Sequence, residues 1–180
     1  MRPSFDFALK NIKVDKAVEV GVEEGINAER MMSSNIGMLY LVDPYKAHIN
    51  HSIATDTPIY QVTQDFMDNA KRLAHDRMLP FSGRYVFMEL TSEDASKLFE
   101  NNSIDYVYID SIHSYDEVKK DISLWFPKVR VGGILSGHDY ALGSHKGDIG
   151  YQGLMKAVNE FVKEKGIKLY NPYEDWWVIK

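Results

Sequence analysis

The sequence predicts an α/β fold in which a mostly parallel, doubly wound sheet of seven strands ends in an antiparallel hairpin. Short apolar runs rich in Val, Ile and Tyr alternate with longer amphipathic stretches, as expected for strands joined by crossover helices. After Gly166, two apolar runs are separated by residues 171–174 alone. A loop this short cannot contain a crossover helix, so these last two strands should pair antiparallel.

The individual elements follow from these patterns and from the turn residues between them. Parallel strands are predicted over residues 16–21, 38–43, 85–88, 104–110 and 133–136, and the hairpin over 167–170 and 175–180. Helices are predicted over residues 27–35, 60–77, 92–101, 115–126 and 152–165. Thr91 followed by Asp94 gives a helix-start signal, because a hydroxyl there can accept a hydrogen bond from the backbone three residues on.

Composition limits the kinds of protein this chain can be. A chain of 180 residues is the size of one domain, here 1–180. The absence of cysteine excludes disulfides, thiolate metal sites and cysteine nucleophiles, and a cytoplasmic setting is the default expectation. No apolar run approaches the ~20 residues of a membrane span. A net charge of −5 with interspersed acids and bases disfavours a nucleic-acid partner.

The first predicted strand runs into two glycines, Gly21 and Gly25, and then into a helix. Either glycine would permit a tight turn and a close ligand, or would serve packing alone. The acids Glu23 and Glu24 would repel a pyrophosphate, which favours a cofactor with a sulfonium and an ammonium group over NAD. Asp43 ends the second strand 22 positions after Gly21, a spacing suited to ribose hydroxyls. Alternatively, Asp43 caps the following residues.

Four polar residues are expected at the carboxyl ends of two later strands: Asp110, His113, His138 and Asp139. Ligands bind at that edge in open α/β sheets. Two carboxylates on neighbouring strands, roughly 4.8 Å apart, would repel unless a cation lies between them. Two Asp with His suit Mg²⁺, Mn²⁺ or another divalent ion, and a His is also a candidate general base. The alternative is that Asp110 only orders its loop and His138 lies at the surface.

The residues described so far resemble those of a known family. The resemblance is carried by Glu19-Val-Gly21-x-x-x-Gly25, by Asp43, and most specifically by residues 109–140, which begin Ile-Asp-x-x-His-Ser-Tyr and end Gly-His-Asp-Tyr. These patterns are similar to class I S-adenosylmethionine-dependent methyltransferases with a Rossmann-like fold, and within them to small-molecule O-methyltransferases that act on sugar and antibiotic substrates. The resemblance runs from about Val18 to the end of the chain.

The resemblance implies a set of S-adenosylmethionine contacts. Gly21 and Gly25 would line its methionine part, and Glu19 would steady the amino group through the loop or water. Asp43 would bind the ribose hydroxyls, and Ser92 would lie near the adenine edge. Asp110 belongs to the same cofactor-binding set.

The resemblance also implies a metal site and a base. In metal-dependent relatives, acids at the positions of Asp110 and Asp139 hold a divalent cation, here Mg²⁺ or Mn²⁺, and His138 takes the place of a further acidic ligand. Relatives often carry an acid two residues after the first of these, where this chain has Ile112. His113 then becomes the expected catalytic base because it is nearby.

The predicted reaction is methyl transfer to an oxygen of a small-molecule acceptor. One alternative is a non-catalytic cofactor-binding module. The other is an NAD-dependent dehydrogenase, which the acidic loop and the terminal hairpin of this chain disfavour. A nucleic-acid methyltransferase is disfavoured because this sequence predicts no basic surface, and residues 110–115 do not contain the Asn/Asp-Pro-Pro-aromatic loop of amino-methylating relatives. Adjacent Trp176 and Trp177 should face opposite sides of a strand, one under a helix and the other against a further layer or a partner subunit, which leaves a homodimer open.

Overall fold

The fold is an α/β sandwich with one main sheet and a separate two-stranded sheet. The computed structural model describes residues 2–51, 58–112, 114–140 and 149–180. The strands are β1 (Lys16–Val20), β2 (Met38–Val42), β3 (His48–His51), β4 (Pro58–Val62), β5 (Tyr85–Met88), β6 (Ile104–Ile109), β7 (Val129–Gly137) and β8 (Trp176–Ile179). The helices are α1 (Pro3–Asn11), α2 (Ile26–Met32), α3 (Gln64–Met78), α4 (Ser92–Ser96), α5 (Tyr115–Trp125) and α6 (Ile149–Lys165), with a 3₁₀ turn at Leu79–Phe81.

The main sheet confirms the predicted fold class. Its strand order is β5-β2-β1-β6-β7-β8, with parallel pairing throughout except between β7 and β8, which are antiparallel. Six strands form this sheet. The expected strand over 167–170 is reduced to one antiparallel bridge between Tyr170 and Trp177, in which each backbone N–H donates to the other residue's carbonyl.

Helices cover both faces of the sheet, and each face has its own apolar core. Side chains from α1, α2 and α3 pack on one face, and side chains from α4, α5 and α6 pack on the other. Trp176 and Trp177 point into opposite cores, as predicted from strand alternation. Trp177 lies against Phe7 of α1, with ring centroids 5.3 Å apart. Both tryptophans are buried within the chain.

Hydroxyl side chains set the start of three helices. Thr91 accepts a hydrogen bond from the backbone of Asp94 at the start of α4, which confirms the helix-start signal, and Ser114 plays the same part for α5. The predicted helix over 60–77 begins later, at Gln64, because Thr63 caps it. The residues before this cap belong to β4, which pairs antiparallel with β3.

Helix α1 was not expected from the sequence. Phe5 and Ala8 are fully buried against the sheet, and Phe5 packs edge-on against Tyr106 with ring centroids 5.2 Å apart. The helix has one apolar side of only a few residues, which is too short a pattern to identify it. Among the described residues, no helix combines the length and the apolar character that crossing a membrane requires.

Candidate active site

The loop after β1 is shaped by its two glycines. Gly21 has φ 86°, and a Cβ there would lie 2.2 Å from the carbonyl oxygen of Asp110. Gly25, at φ 75°, begins α2, and a Cβ there would lie 3.0 Å from Ala74 Cα. Backbone conformation and packing therefore both require glycine here. The loop therefore runs close to the backbone of Asp110, where the carboxyl ends of the paired strands β1 and β6 lie side by side.

Asp43 holds this loop in place. One carboxylate oxygen accepts hydrogen bonds from the backbone of Val22 and Glu23, both at 3.0 Å. The other accepts from Tyr45 N–H at 2.8 Å, which is the capping contact considered as an alternative. Asp43 is 7% exposed. Since a carboxylate offers about four lone-pair sites, capacity remains for a ribose hydroxyl beside the three backbone contacts.

Glu19 is a buried acid at the centre of the site. It is 1% exposed, and one of its oxygens accepts a hydrogen bond from the Asn27 side chain at 2.8 Å. Its Oε2 is buried and has no hydrogen-bond partner in the described part of the chain. Burial raises the pKa of Glu19 from 4.5 to about 8, against the opposing hydrogen bond from Asn27. A cationic ammonium group fits this unsatisfied oxygen, as the amino group of S-adenosylmethionine would require.

The glycine loop is acidic beyond Glu19. Burial raises the pKa of Glu23, and the neighbouring charges of Glu24, Asp110 and Asp43 add to the effect. These carboxylates would oppose a phosphate group bound at the loop. The electrostatics therefore agree with a cofactor that carries no phosphate.

Ser92 belongs to a half-buried network between the exits of β5 and β6. Its hydroxyl donates to Asp121 at 2.5 Å and accepts from Trp125 Nε1 at 2.8 Å. The other Asp121 oxygen accepts from Ser111, which follows Asp110, at 2.6 Å. Burial raises the pKa of Asp121, while its two serine contacts act in the opposite direction. Asp121 thus connects the start of α4, where Ser92 is expected near adenine, to the loop that follows Asp110.

A cavity of about 400 Å³ opens beside this network. Its lining residues come from the loop before α4, from α4 itself and from α5: Thr91, Ser92, Glu93, Asp94, Glu117, Lys120 and Asp121. Sequence reasoning placed Asp121 in the family pattern but assigned it no role. Its signal was an acid at an otherwise apolar position of an amphipathic helix.

Asp110, His138 and Asp139 converge at the carboxyl ends of β6 and β7. Ile109 lies opposite Gly137 in the register of these strands, so the residues that follow them are neighbours. One ligand atom from each of the three lies within 4.8 Å of the others. His138 Nδ1 is 2.8 Å from an Asp139 oxygen, and its Nε2 is 3.4 Å from Glu174.

The charges around His138 favour its protonated form. Burial on its own lowers the pKa of His138, but the hydrogen bond and charge of Asp139, with the charge of Asp110, outweigh it and raise the pKa overall. Asp139 has φ 60°, an unusual backbone conformation for a residue other than glycine. The backbone at Asp139 therefore carries strain.

His113, the predicted base, lies outside the described residues. The residue before it, Ile112, is 45% exposed. The other predicted site residues lie along the carboxyl edge formed by β1, β2, β5, β6 and β7 and the loops that follow them. The sequence did not suggest Arg2, whose guanidinium lies 3.9 Å from Asp110.

Solved structures with this fold include several methyltransferases. The O-methyltransferase NovP is 13% identical, with a TM-score of 0.65 over 98% of this chain and 76% of its own. A candidate methyltransferase from Streptococcus mutans, in complex with SAH, is 15% identical. Its TM-score is 0.66, over 100% of this chain and 98% of its own. An rRNA methylase from Streptococcus thermophilus is 14% identical, with a TM-score of 0.61 over 99% and 95%. At these identities the likeness establishes the fold and does not separate one acceptor from another.

Sequence comparison identifies the family. No curated protein sequence matches the chain, but the methyltransferase-domain family matches residues 18–140. The match begins within β1, covers the glycine loop and Asp43, and ends just after the Asp110, His138 and Asp139 cluster. The chain therefore belongs to the methyltransferase-domain family and is a class I S-adenosylmethionine-dependent methyltransferase.

Proposed function

We propose that this enzyme methylates an oxygen atom of a small-molecule acceptor, with a divalent ion held by Asp110, His138 and Asp139. The observation that carries the proposal is their convergence, with ligand atoms within 4.8 Å of one another at the carboxyl edge of the sheet. Two carboxylates and an imidazole are ligands that suit Mn²⁺, and with more oxygen ligands Mg²⁺. The cluster lies at the edge where ligands bind in this class of fold.

The hydrogen bond between His138 and Asp139 fits this role. The Asp139 oxygen and His138 Nδ1 are 2.8 Å apart, which is close enough for both atoms to ligate one ion once the proton between them is released. A divalent ion bound here would supply Lewis acidity, which makes an acceptor hydroxyl easier to deprotonate.

The chain's own contribution to methyl transfer is mainly positioning. Glu19 and the glycine loop would hold the methionine part of the cofactor, and Asp43 the ribose, so that the sulfonium methyl group faces the acceptor. His113 is proposed as the base that removes the acceptor's proton. In the sequence it follows Asp110 by three positions, between the residues of β6 and those of α5.

The acceptor is proposed to be a hydroxylated small molecule. The net charge of −5 and the acidic glycine loop disfavour a polyanionic acceptor such as RNA. NovP, which has the same fold, is an O-methyltransferase. A screen of catechols, sugars and other hydroxylated compounds, each with and without Mg²⁺ or Mn²⁺, would identify the acceptor through the formation of S-adenosylhomocysteine.

Ion binding can be tested without an acceptor. A ligand that binds only the folded protein raises its melting temperature, so millimolar Mg²⁺ or Mn²⁺ should stabilise the wild type. Asp139→Asn should abolish most of this shift. Asp116→Asn is the matched control, because Asp116 is an exposed acid in the first turn of α5 and should leave the shift unchanged. If neither ion stabilises the wild type, with or without cofactor, the ion is not part of the mechanism.

A further inference from the structure

Arg2 is held in a defined place by the fold. Its carbonyl accepts hydrogen bonds from the backbone of Phe5 and Asp6 at the start of α1. Two residues on, Ser4 donates to Asp175 from its backbone at 3.0 Å and from its hydroxyl at 2.7 Å. Ser4 and Asp175 are both buried. The first turn of α1 is thereby fixed to the residue that precedes β8.

One donor of the Arg2 side chain lacks an acceptor. Its Nε is buried and has no hydrogen-bond partner within the described residues. A carboxylate oxygen of Asp110 is 3.9 Å from Nη2, which is beyond hydrogen-bond length. A guanidinium carries five N–H donors, and a buried donor without an acceptor is unfavourable. The side chain is 27% exposed, so a ligand can reach it.

Glu19 lies on the same face of the sheet, and its Oε2 also lacks a hydrogen-bond partner among the described residues. Glu19 is opposite Tyr108 in the pairing of β1 with β6, so the two side chains share a face. The Tyr108 hydroxyl contacts Asp175 at 3.2 Å, which is the residue that anchors Ser4. The start of α1 therefore lies over Glu19, and the positive charge of Arg2 lowers the pKa of Glu19 against the effect of burial.

We propose that Arg2 binds the α-carboxylate of the methionine part of S-adenosylmethionine while Glu19 binds the α-ammonium. A buried acid and a guanidinium on one face, each with an unsatisfied atom, match the two charges of an amino acid. Carboxylate and guanidinium form strong, directional hydrogen bonds. Arg2 is thus a specificity residue that selects a cofactor with an intact amino-acid group. The inference rests on the assignment of S-adenosylmethionine as the cofactor.

The test compares ligands with and without the amino-acid group by titration calorimetry. S-adenosylhomocysteine carries the group, whereas 5′-methylthioadenosine keeps the adenosine and sulfur and lacks it. Arg2→Gln should weaken S-adenosylhomocysteine binding by about 10- to 100-fold, the usual range for a lost charged hydrogen bond. Binding of 5′-methylthioadenosine should stay within about twofold. Lys10→Gln, which removes an exposed charge from the same helix, should change neither.

A further ligand tests the carboxylate contact separately from the ammonium contact. Decarboxylated S-adenosylmethionine lacks only the carboxylate, so wild type should bind it more weakly than S-adenosylmethionine and Arg2→Gln should lose that preference. Equal weakening of S-adenosylhomocysteine and 5′-methylthioadenosine would mean that Arg2 only supports the fold. Unchanged binding of both would overturn the carboxylate contact. A wild type that binds neither S-adenosylmethionine nor S-adenosylhomocysteine would instead refute the cofactor assignment.

Discussion

Cofactor binding should release a proton from Glu19. Because burial raises the pKa of Glu19 to about 8, its neutral, protonated form predominates at pH 7 in the ligand-free protein. The ammonium group of S-adenosylmethionine favours the ionised carboxylate, so binding should lower this pKa. Glu19→Gln keeps the shape of the side chain and its capacity to accept a hydrogen bond, but it has no proton to release.

The size of the effect follows from the pKa. With a pKa of about 8, about one molecule in eleven has Glu19 ionised at pH 7, and about one in a hundred at pH 6. If only the ionised form binds the cofactor, affinity should rise about ninefold between these pH values, close to the 1.36 kcal/mol of one pKa unit. The comparison is made below pH 7.5, because the cofactor's own amino group titrates at about 8.

Calorimetry can measure both consequences. Titrations at pH 7 in phosphate and in Tris, whose ionisation enthalpies differ, report the number of protons released, which should be about 0.9 per cofactor for the wild type. Glu19→Gln should release fewer protons by that amount and lose most of the pH dependence. His138 is present in both proteins, so its contribution cancels in the difference. Equal proton release by both proteins would refute the reasoning.

Three further predictions concern the glycine loop, Asp43 and the base. Gly21→Ala should destabilise the protein by more than about 3 kcal/mol in urea unfolding, because its Cβ would meet the carbonyl of Asp110. Gly83 has a similar φ and open space around it, so Gly83→Ala should cost only about 1–2 kcal/mol. Equal losses of stability in the two variants would show that the contact with Asp110 does not matter. Asp43→Ala should weaken S-adenosylmethionine binding by about 1.5–3 kcal/mol, and undiminished affinity in calorimetry would leave Asp43 a loop-ordering role alone. His113→Ala should bind cofactor normally while kcat falls at least about a hundredfold, and normal turnover would remove His113 from the chemistry.

Local patterns predicted the parallel sheet and its glycine loop well. The strand–glycine–helix sequence around Gly21 and the acids after β2 and β6 are contiguous signals, and strand register alone brings Asp110 next to His138. The prediction that a helix starts near Tyr60 was wrong, because a single cap at Thr63 decides where α3 begins. The predicted strand over 167–170 was too long because apolar residues there pack without forming a ladder.

Long-range contacts limited what could be predicted about the site. The place of Arg2 depends on hydrogen bonds between Ser4 and Asp175, which are 171 positions apart. The network of Asp121 joins residues from two helices and a loop. No periodicity or motif names the partners in either case, because these residues meet only after the sheet has formed.

The link between Ser4 and Asp175 has a consequence for biosynthesis. A nascent chain that has emerged only through β7 already contains both glycines, Asp43, Asp110 and Arg2. It lacks the residue that fixes the first turn of α1. Arg2 would stay unanchored until Asp175 leaves the ribosome, so the proposed recognition of the cofactor's amino-acid group should arise only after Asp175 has been synthesised. Fragments that end before residue 175 would accordingly discriminate poorly between S-adenosylhomocysteine and 5′-methylthioadenosine.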